Sequence, residues 1–531
     1  MGLKEAIAKK KRVEHVDFAP EHTKSTSSSV YHRTVQKKKD TLEFPQIYQY
    51  PALFNMAHNI YEDFVSRLKT NENISEEKLR ETIPDFLADH YSDVPPLQTP
   101  GMKNEMIDFI VDHLKGYGPV SSIFRVAGDG LNDIIINTKD YIDVIYDGKT
   151  IVTPYKFKNE NDLRRVIDKM LAENNRKIDD AHPIASSKLK DGSRIEAQIP
   201  PVAANDGSCL TLRKFRDIPL FLEQIIDSGQ MDMKMAYFLL KAIQGKLNII
   251  VSGGTSSGKT TFLNTMTRFV EEGDQLLTIE DTKEIMPQMP CHSVRAYEAR
   301  PANEEGEGEI SLEMLLRSAL RSSPRRIIVG ECRGGEIVVM LNAMNTGHPG
   351  SMTTVHADDT KEAIVRIENM YLEARPTANS DFIRAQIVSA VDLIVQLVRF
   401  PDGTRKVIKI SEVEKRIEDG GVVSLLDIFQ FKRDMTLHDD KKTRGTHVAM
   451  STPSRAIAKM EMFGVDIDKR IFDDDFEMDK QMLIDELAKF LPDVMCGWKD
   501  AFIHDMFSND PDLFERWPHL STLLLKEKGN S

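Results

Sequence analysis

The segment Val251-Ser-Gly-Gly-Thr-Ser-Ser-Gly-Lys-Thr-Thr261 decides how the rest of the chain is read. Its core, Gly253 to Thr260, fits the pattern G-x-x-x-x-G-K-[ST]. An apolar run, Leu247 to Val251, precedes it, and Phe262, Leu263 and Met266 follow at helical spacing. Strand, glycine-rich turn and helix in that order form a loop that grips phosphate. Glycines let successive backbone N–H groups turn inward, and the helix N-terminus adds partial positive charge. Gly253, Gly254, Thr255, Ser256, Ser257, Gly258, Lys259, Thr260 and Thr261 are therefore the expected nucleotide cradle. Lys259 would reach the β- and γ-phosphates and the Thr260 hydroxyl would sit on Mg²⁺, so ATP and Mg²⁺ are the expected ligands.

Working outward, short apolar runs alternate with helical stretches: Gln275 to Ile279, Arg326 to Val329, Ser351 to Val355 and Leu393 to Val398. Nearly continuous apolar strands separated by helices predict a parallel sheet covered on both faces. Upstream the text is mixed. Leu53, Met56, Ala57, Ile60, Phe64 and Leu68 recur at helical steps, as do Met102, Met106, Phe109, Ile110 and Leu114. Strands follow at Asp133 to Asn137 and Ile142 to Tyr146, which predicts an α+β domain before the α/β one.

The expected division is a flexible basic arm over 1–45, a helical region over 46–118 and an α+β domain over 119–230. The α/β domain would cover 231–415, a continuation 416–472 and an acidic helical extension 473–531. In that extension Leu483, Ile484, Leu487, Phe490 and Leu491 share one face, which suits docking on a partner or packing on the body.

A net charge of −13 argues against general nucleic-acid affinity, since phosphate backbones are held by clustered Lys and Arg. Cys209, Cys291, Cys332 and Cys496 form no CxxC pair, so a zinc site or disulfide framework is not expected and a reducing cytoplasm is. No run of about 18 apolar residues appears, so work at a membrane would be peripheral. The lysines of the arm suit either a solvated tail or a contact with anionic lipid.

Three further segments carry chemistry. Thr278-Ile-Glu-Asp-Thr-Lys-Glu284 puts carboxylates past the end of a strand, at the ligand edge of an open α/β sheet. Arg326-Ile-Ile-Val-Gly-Glu331 is an apolar strand ending in a carboxylate, with Gly330 where an Asp would be more usual. Glu331 would then serve the metal alone, through water. In Gly347-His-Pro-Gly-Ser-Met-Thr-Thr-Val-His-Ala357, His356 ends a strand within reach of a phosphate or a catalytic carboxylate.

Taken in this order, the four segments resemble the Walker A, Asp, Walker B and His boxes of the secretion-ATPase superfamily of type II and type IV secretion, pilus assembly and conjugation. The tight-adherence pilus branch is the nearest in likeness. Gly116-Tyr-Gly-Pro119, Asp191-Gly-Ser-Arg194, Leu210-Thr-Leu-Arg-Lys-Phe215, Ser318-Ala-Leu-Arg321 and Val391-Asp-Leu-Ile394 extend the match over roughly residues 100 to 465. The resemblance implies an N-terminal domain linked to a RecA-like domain, with nucleotide between them and six copies in a ring. By position Glu284 would be the catalytic carboxylate, with Glu280 its competitor. Glu331 would be the Walker B acid, His356 the box histidine, and Arg194 and Arg213 the arginines that reach the phosphates.

Departures are the acidic insert Asn303 to Glu309 and the missing tetracysteine module of many extension ATPases. The function to expect is a cytoplasmic ATP hydrolase, peripheral at the inner face of the membrane, driving pilus assembly or secretion against an inner-membrane platform protein. Its rivals are a nucleotide-gated scaffold with little turnover and a nucleic-acid translocase. An acidic chain without a basic, aromatic-interleaved groove weighs against the second.

Overall fold

The computed structural model describes residues 42–68, 74–146, 148–204, 207–215, 220–271, 273–288, 293–302, 307–435, 442–490, 510 and 512–521. Of the arm expected over 1–45, only 42–45 fall among them.

Five α-helices come first among the described residues: α1 (Gln46–Gln49), α2 (Pro51–Arg67), α3 (Glu76–Tyr91), α4 (Pro100–Leu114) and α5 (Pro119–Ala127). Their starts follow capping chemistry. The Thr99 hydroxyl accepts the Met102 N–H ahead of α4, and Pro100 and Pro119 stand at first-turn positions where no N–H is needed. Next come β1 (Leu131–Thr138), β2 (Tyr141–Tyr146), β3 (Lys149–Val152), α6 (Glu160–Ala172), β4 (Ile184–Lys188), β5 (Arg194–Gln198) and β6 (Cys209–Arg213). The six strands form one antiparallel sheet in the order β3-β2-β1-β6-β5-β4. Ile134, Ile136, Ile142, Val144, Leu210 and Leu212 from this sheet share a single core with Phe54, Ile60, Phe109 and Ile110 from the helices. The division expected at 118/119 therefore cuts through one domain, because neither half buries its apolar face alone.

The second part contains α7 (Leu222–Asp227), α8 (Met233–Gln244), β7 (Ile249–Gly253), α9 (Lys259–Met266), β8 (Leu276–Glu280), β9 (Val294–Glu298), α10 (Leu312–Ala319) and β10 (Arg326–Val329). It continues with α11 (Glu336–Asn345), β11 (Met352–Val355), α12 (Thr360–Ala374), α13 (Ser380–Ala390), β12 (Leu393–Arg399), β13 (Arg405–Glu418), β14 (Val422–Arg433), β15 (Gly445–Ala449) and α14 (Ser454–Met462). The sheet order is β15-β14-β13-β12-β7-β11-β10-β8-β9. From β12 to β9 all neighbours are parallel, whereas β13, β14 and β15 add antiparallel strands at one side.

Ile250, Leu277, Ile279, Ile327, Val329, Val355 and Ile394 bury one face against α10 to α13, while α9 lies on β7 and β11. This is the expected α/β, RecA-like domain with a mostly parallel sheet. Two of its boundaries move. Residue 415 falls inside β13, so the sheet runs through the expected continuation. At the other end, α7 belongs here rather than before residue 230, since Thr265 Oγ1 in α9 donates to the Leu220 carbonyl at 2.8 Å.

The acidic extension also joins this body. In α15 (Lys480–Leu487), Leu483 and Leu487 are fully buried and the helix lies on α8, with Lys241 Nζ 2.9 Å from Glu486 Oε2. Arg268 and Glu223 form a fully buried ion pair at 2.8 Å. Arg268 Nε donates to the Phe490 carbonyl at 3.1 Å, and His519 Nε2 stands 2.7 Å from Glu223. Of the two readings of the leucine face, packing on the body is the one observed; Leu491 lies outside the described residues.

Leu487→Ala should therefore lower the stability of the second domain by about 2–5 kcal/mol, the usual cost of truncating a buried leucine. Urea denaturation followed by tryptophan fluorescence measures it, and an unchanged midpoint would mean the helix does not pack.

Candidate active site

Parallel strands all end on one edge, and β7, β8, β10 and β11 bring their C-terminal residues together there. The phosphate loop leaves β7 and enters α9 through Gly258, whose φ of +94° is left-handed. Gly253 and Gly254 sit behind the loop, and their carbonyls accept Lys259 Nζ at 2.8 and 3.0 Å. Lys259 is 7% exposed, and burial lowers its pKa to about 8 against the pull of Glu331. Thr255 to Thr261 line a cleft of about 480 Å³.

At the end of β10, Glu331 lies in the same cleft. Its Oε1 is 2.8 Å from His356 Nε2, beyond β11, and its Oε2 is 2.6 Å from Arg333. Burial and the Lys259 charge push the His356 pKa below its ordinary value, against the pull of Glu331. The ring lies between that carboxylate and Lys259, whose Nζ is 3.3 Å from Nε2, and Glu331 Oε1 itself has no hydrogen-bond partner among the described residues.

Glu280 ends β8 and is 4% exposed. One oxygen accepts the N–H groups of Glu284 and Ile285, both at 2.9 Å, and the other has no hydrogen-bond partner among the described residues. Burial raises its pKa to about 7. The unusual Gly330 has its reason here. A Cβ at 330 would stand 2.9 Å from Glu280 Cγ, so an Asp at that place would force Glu280 out of its present position. Glu280 thus ties down the turn that carries Glu284.

Glu284 itself is a third exposed, and its Oε1 is 2.7 Å from Arg194 of the N-terminal domain. Arg194 arrives there through strand register. Lys188, Arg194, Arg213 and Asp133 are successive cross-strand partners on β4, β5, β6 and β1. Residues directly opposite share a face of the sheet. This charged row meets the second domain: Lys188 pairs with Glu298 at 3.1 Å, and Arg194 pairs with Glu284 and donates to the Thr282 carbonyl at 3.1 Å. Arg213 pairs with Asp133 at 3.1 Å and lines the cleft.

All five residues expected to act in catalysis (Glu284, Glu331, His356, Arg194 and Arg213) and the loop from Thr255 to Thr261 therefore open on one space. Three arginines that the sequence reading did not single out are also there: Arg333, Arg399 and Arg405. Arg333 is two residues past Glu331 and could have been found by proximity. The other two are placed by hairpin pairing, which leaves no local signal.

The donor set suits a polyphosphate. Arg194 Nε and Ser257 Oγ are buried without hydrogen-bond partners among the described residues, and Lys259 has two backbone carbonyls and the His356 ring for partners. Outside this cleft, Cys209 and Cys332 are free thiols; Cys291 and Cys496 lie outside the described residues. No helix among the described residues is long and apolar enough to cross a membrane.

The chain is similar to several known proteins. The model of the family described as "Type II/IV secretion system protein" matches residues 118–451. The "Putative conjugal transfer protein Rv3659c" of Mycobacterium tuberculosis is 32% identical over 332 residues, covering 60% of this chain and 92% of its own. The type IV secretion system protein VirB11 of Bartonella quintana is 28% identical over 351 residues, covering 58% and 94%. Among solved structures, the ATPase DotB of Legionella pneumophila has 21% identity and a TM-score of 0.40, covering 56% of this chain and 80% of its own. With the family match spanning both domains from Gly118 through β15, this chain belongs to the type II/IV secretion ATPase superfamily.

Proposed function

We propose that this protein is an ATP-hydrolysing motor. It works as a homohexamer at the cytoplasmic face of the membrane and drives pilus assembly or type II/IV secretion against an inner-membrane platform protein. One observation carries the reading: Lys259, Glu331, Glu284 and Arg194 line one cleft although they come from two domains. Family membership and relatives named for conjugal transfer and type IV secretion support the transport role. The missing tetracysteine module favours the tight-adherence and conjugation branches.

Each residue has a task in the reaction. Lys259 and the loop N–H groups hold the β- and γ-phosphates; Thr260 would hold Mg²⁺ and Glu331 would hold its water shell. When bound, Mg²⁺ would neutralise charge on the phosphoryl oxygens. Glu284 orients and deprotonates water, on a turn held by Glu280. His356 keeps Glu331 in place, and Arg194 and Arg213 neutralise charge spreading over the transferred group.

Phosphate release tests the assignment. Lys259→Ala should abolish it, and Glu284→Gln should keep ATP affinity but lose at least about a hundredfold in rate. A large loss in Glu280→Gln with none in Glu284→Gln would move the base to Glu280. Near-normal turnover in Lys259→Ala would remove the nucleotide site altogether.

Arg194 gives up Glu284 for phosphate only when the domains close on ATP. Arg194→Ala and Arg213→Ala should therefore cut turnover while ADP affinity changes little, and Lys should rescue poorly because it lacks the planar fork. If both alanine variants hydrolyse at the wild-type rate and still compact with an ATP analogue in small-angle scattering, closure does not run through them.

The pH dependence of ATP affinity follows from Lys259. A lysine whose pKa has fallen to about 8 is charged below that pH and loses its proton above it. ATP affinity should decline as pH rises through 8, with proton uptake on binding in the alkaline range. Isothermal titration in buffers of different ionisation enthalpy reads both; affinity and proton uptake flat from pH 7 to 9.5 would contradict it.

A further inference from the structure

The hairpin between β12 and β13 carries an arginine at each end, and Arg399 and Arg405 are direct cross-strand partners. They hold different things. Arg399 donates to the carbonyl of Gly148, in the turn between β2 and β3 of the N-terminal domain. The N–H of that glycine is itself held by Asn132 Oδ1 at 2.9 Å. Arg405 Nε donates to the Ser256 carbonyl inside the phosphate loop at 3.1 Å. It also crosses the loop closely: a Cβ on Gly258 would stand 3.1 Å from Arg405 Cδ.

Ser256 has a φ of +58°, a left-handed conformation that a serine adopts only where its surroundings enforce it. Fixing its carbonyl fixes the plane of the Ser256–Ser257 peptide, and in a trans peptide the N–H points the opposite way. The Ser257 N–H consequently turns away from Arg405. Its acceptor is the Gly254 carbonyl at 3.4 Å, long for a hydrogen bond. That amide is poised to exchange a weak partner for a phosphate oxygen.

The hairpin between the two arginines is closed by its own hydrogen bonds. Phe400 N–H bonds Thr404 at 2.8 Å, Gly403 N–H bonds Phe400 at 2.9 Å, and Asp402 accepts both the N–H and the hydroxyl of Thr404.

Building on the nucleotide-site reading above, we propose that Arg405 is a positioning residue that aims the Ser257 N–H at the phosphates, and that Arg399 passes the state of the loop through the hairpin to the N-terminal domain. Loop occupancy and domain position are then linked, and linkage is reciprocal.

The test is a double-mutant cycle on the full chain, reading ATP affinity, kcat and KM, with thermal melting as the control for folding. Arg405→Ala should weaken ATP about tenfold, the low end for a hydrogen bond to a charged group, and raise KM more than it lowers kcat. Arg405→Lys should recover part of this, since an ammonium can donate to the same carbonyl. Arg399→Ala should also weaken ATP, and the double variant should fall short of the product of the single losses by about threefold or more. Wild-type ATP affinity in Arg405→Ala, or losses that multiply, overturns the proposal while leaving the nucleotide site standing. Should the wild-type chain itself bind no ATP, the functional reading fails first. If Arg405→Ala does not fold, Arg405→Lys carries the same cycle with Arg399→Ala.

Discussion

In a parallel sheet every strand ends on the same edge, and the chemistry of this protein depends on that constraint. β7 delivers the phosphate loop, β8 delivers Glu280, β10 delivers Glu331, and β11 delivers His356. No single loop could assemble these groups, yet consecutive positions in the order β7-β11-β10-β8 put them side by side. Exact fit between neighbours matters as much as order. Gly330 leaves the space that Glu280 fills, and Glu280 in turn uses that position to accept two N–H groups from the turn bearing Glu284. Strand packing, rather than the turn's own sequence, sets where the proposed base stands.

The ion pairs divide by burial into those that hold and those that can exchange. Arg268 and Glu223 are fully buried, so removing either would strand a charge at a cost of about 3–5 kcal/mol. That pair, with the Phe490 carbonyl and His519, fastens the C-terminal extension to α7. Arg194 and Glu284 are each about a third exposed, where an ion pair contributes about 0–1 kcal/mol. A bond that weak yields readily to a phosphate oxygen. The same chain thus builds a permanent joint beneath α9 and a releasable one across the domains.

Much of this was legible in the sequence. The loop was readable because its glycines, Lys259 and flanking periodicities are local. Short apolar runs announced the parallel strands for the same reason. The three antiparallel strands β13 to β15 were missed because Arg405–Glu418 is rich in charge and the buried positions of β13 and β14 fall in uneven clusters, so neither an apolar run nor a period-two alternation marks them. The leucine face of α15 was ambiguous because spacing shows that a face is apolar and not what covers it. Arg194 and Arg213 were reachable only through family resemblance; nothing in their neighbours says that cross-strand register aligns them. Arg399 and Arg405 were invisible, since only hairpin pairing gives either of them a role.

The charge pattern of the cleft explains why an anion should organise it. Lys259 is desolvated, and the nearby Arg333 lowers its pKa further, so its ammonium is held at a disadvantage by two carbonyls. Arg194 keeps a buried Nε without an acceptor among the described residues, and Ser256 is held in a left-handed conformation. Each of these carries a small cost, and under the proposed function phosphate oxygens would relieve all three. A ligand that binds one arrangement better than another shifts the population toward it by that difference alone. ATP and ADP differ by the γ-phosphate, and under the proposed closure the arginine row on β5 and β6 belongs to the domain that would move to meet it. The energy difference available to move the domains would then reside in the contacts that only the γ-phosphate can satisfy.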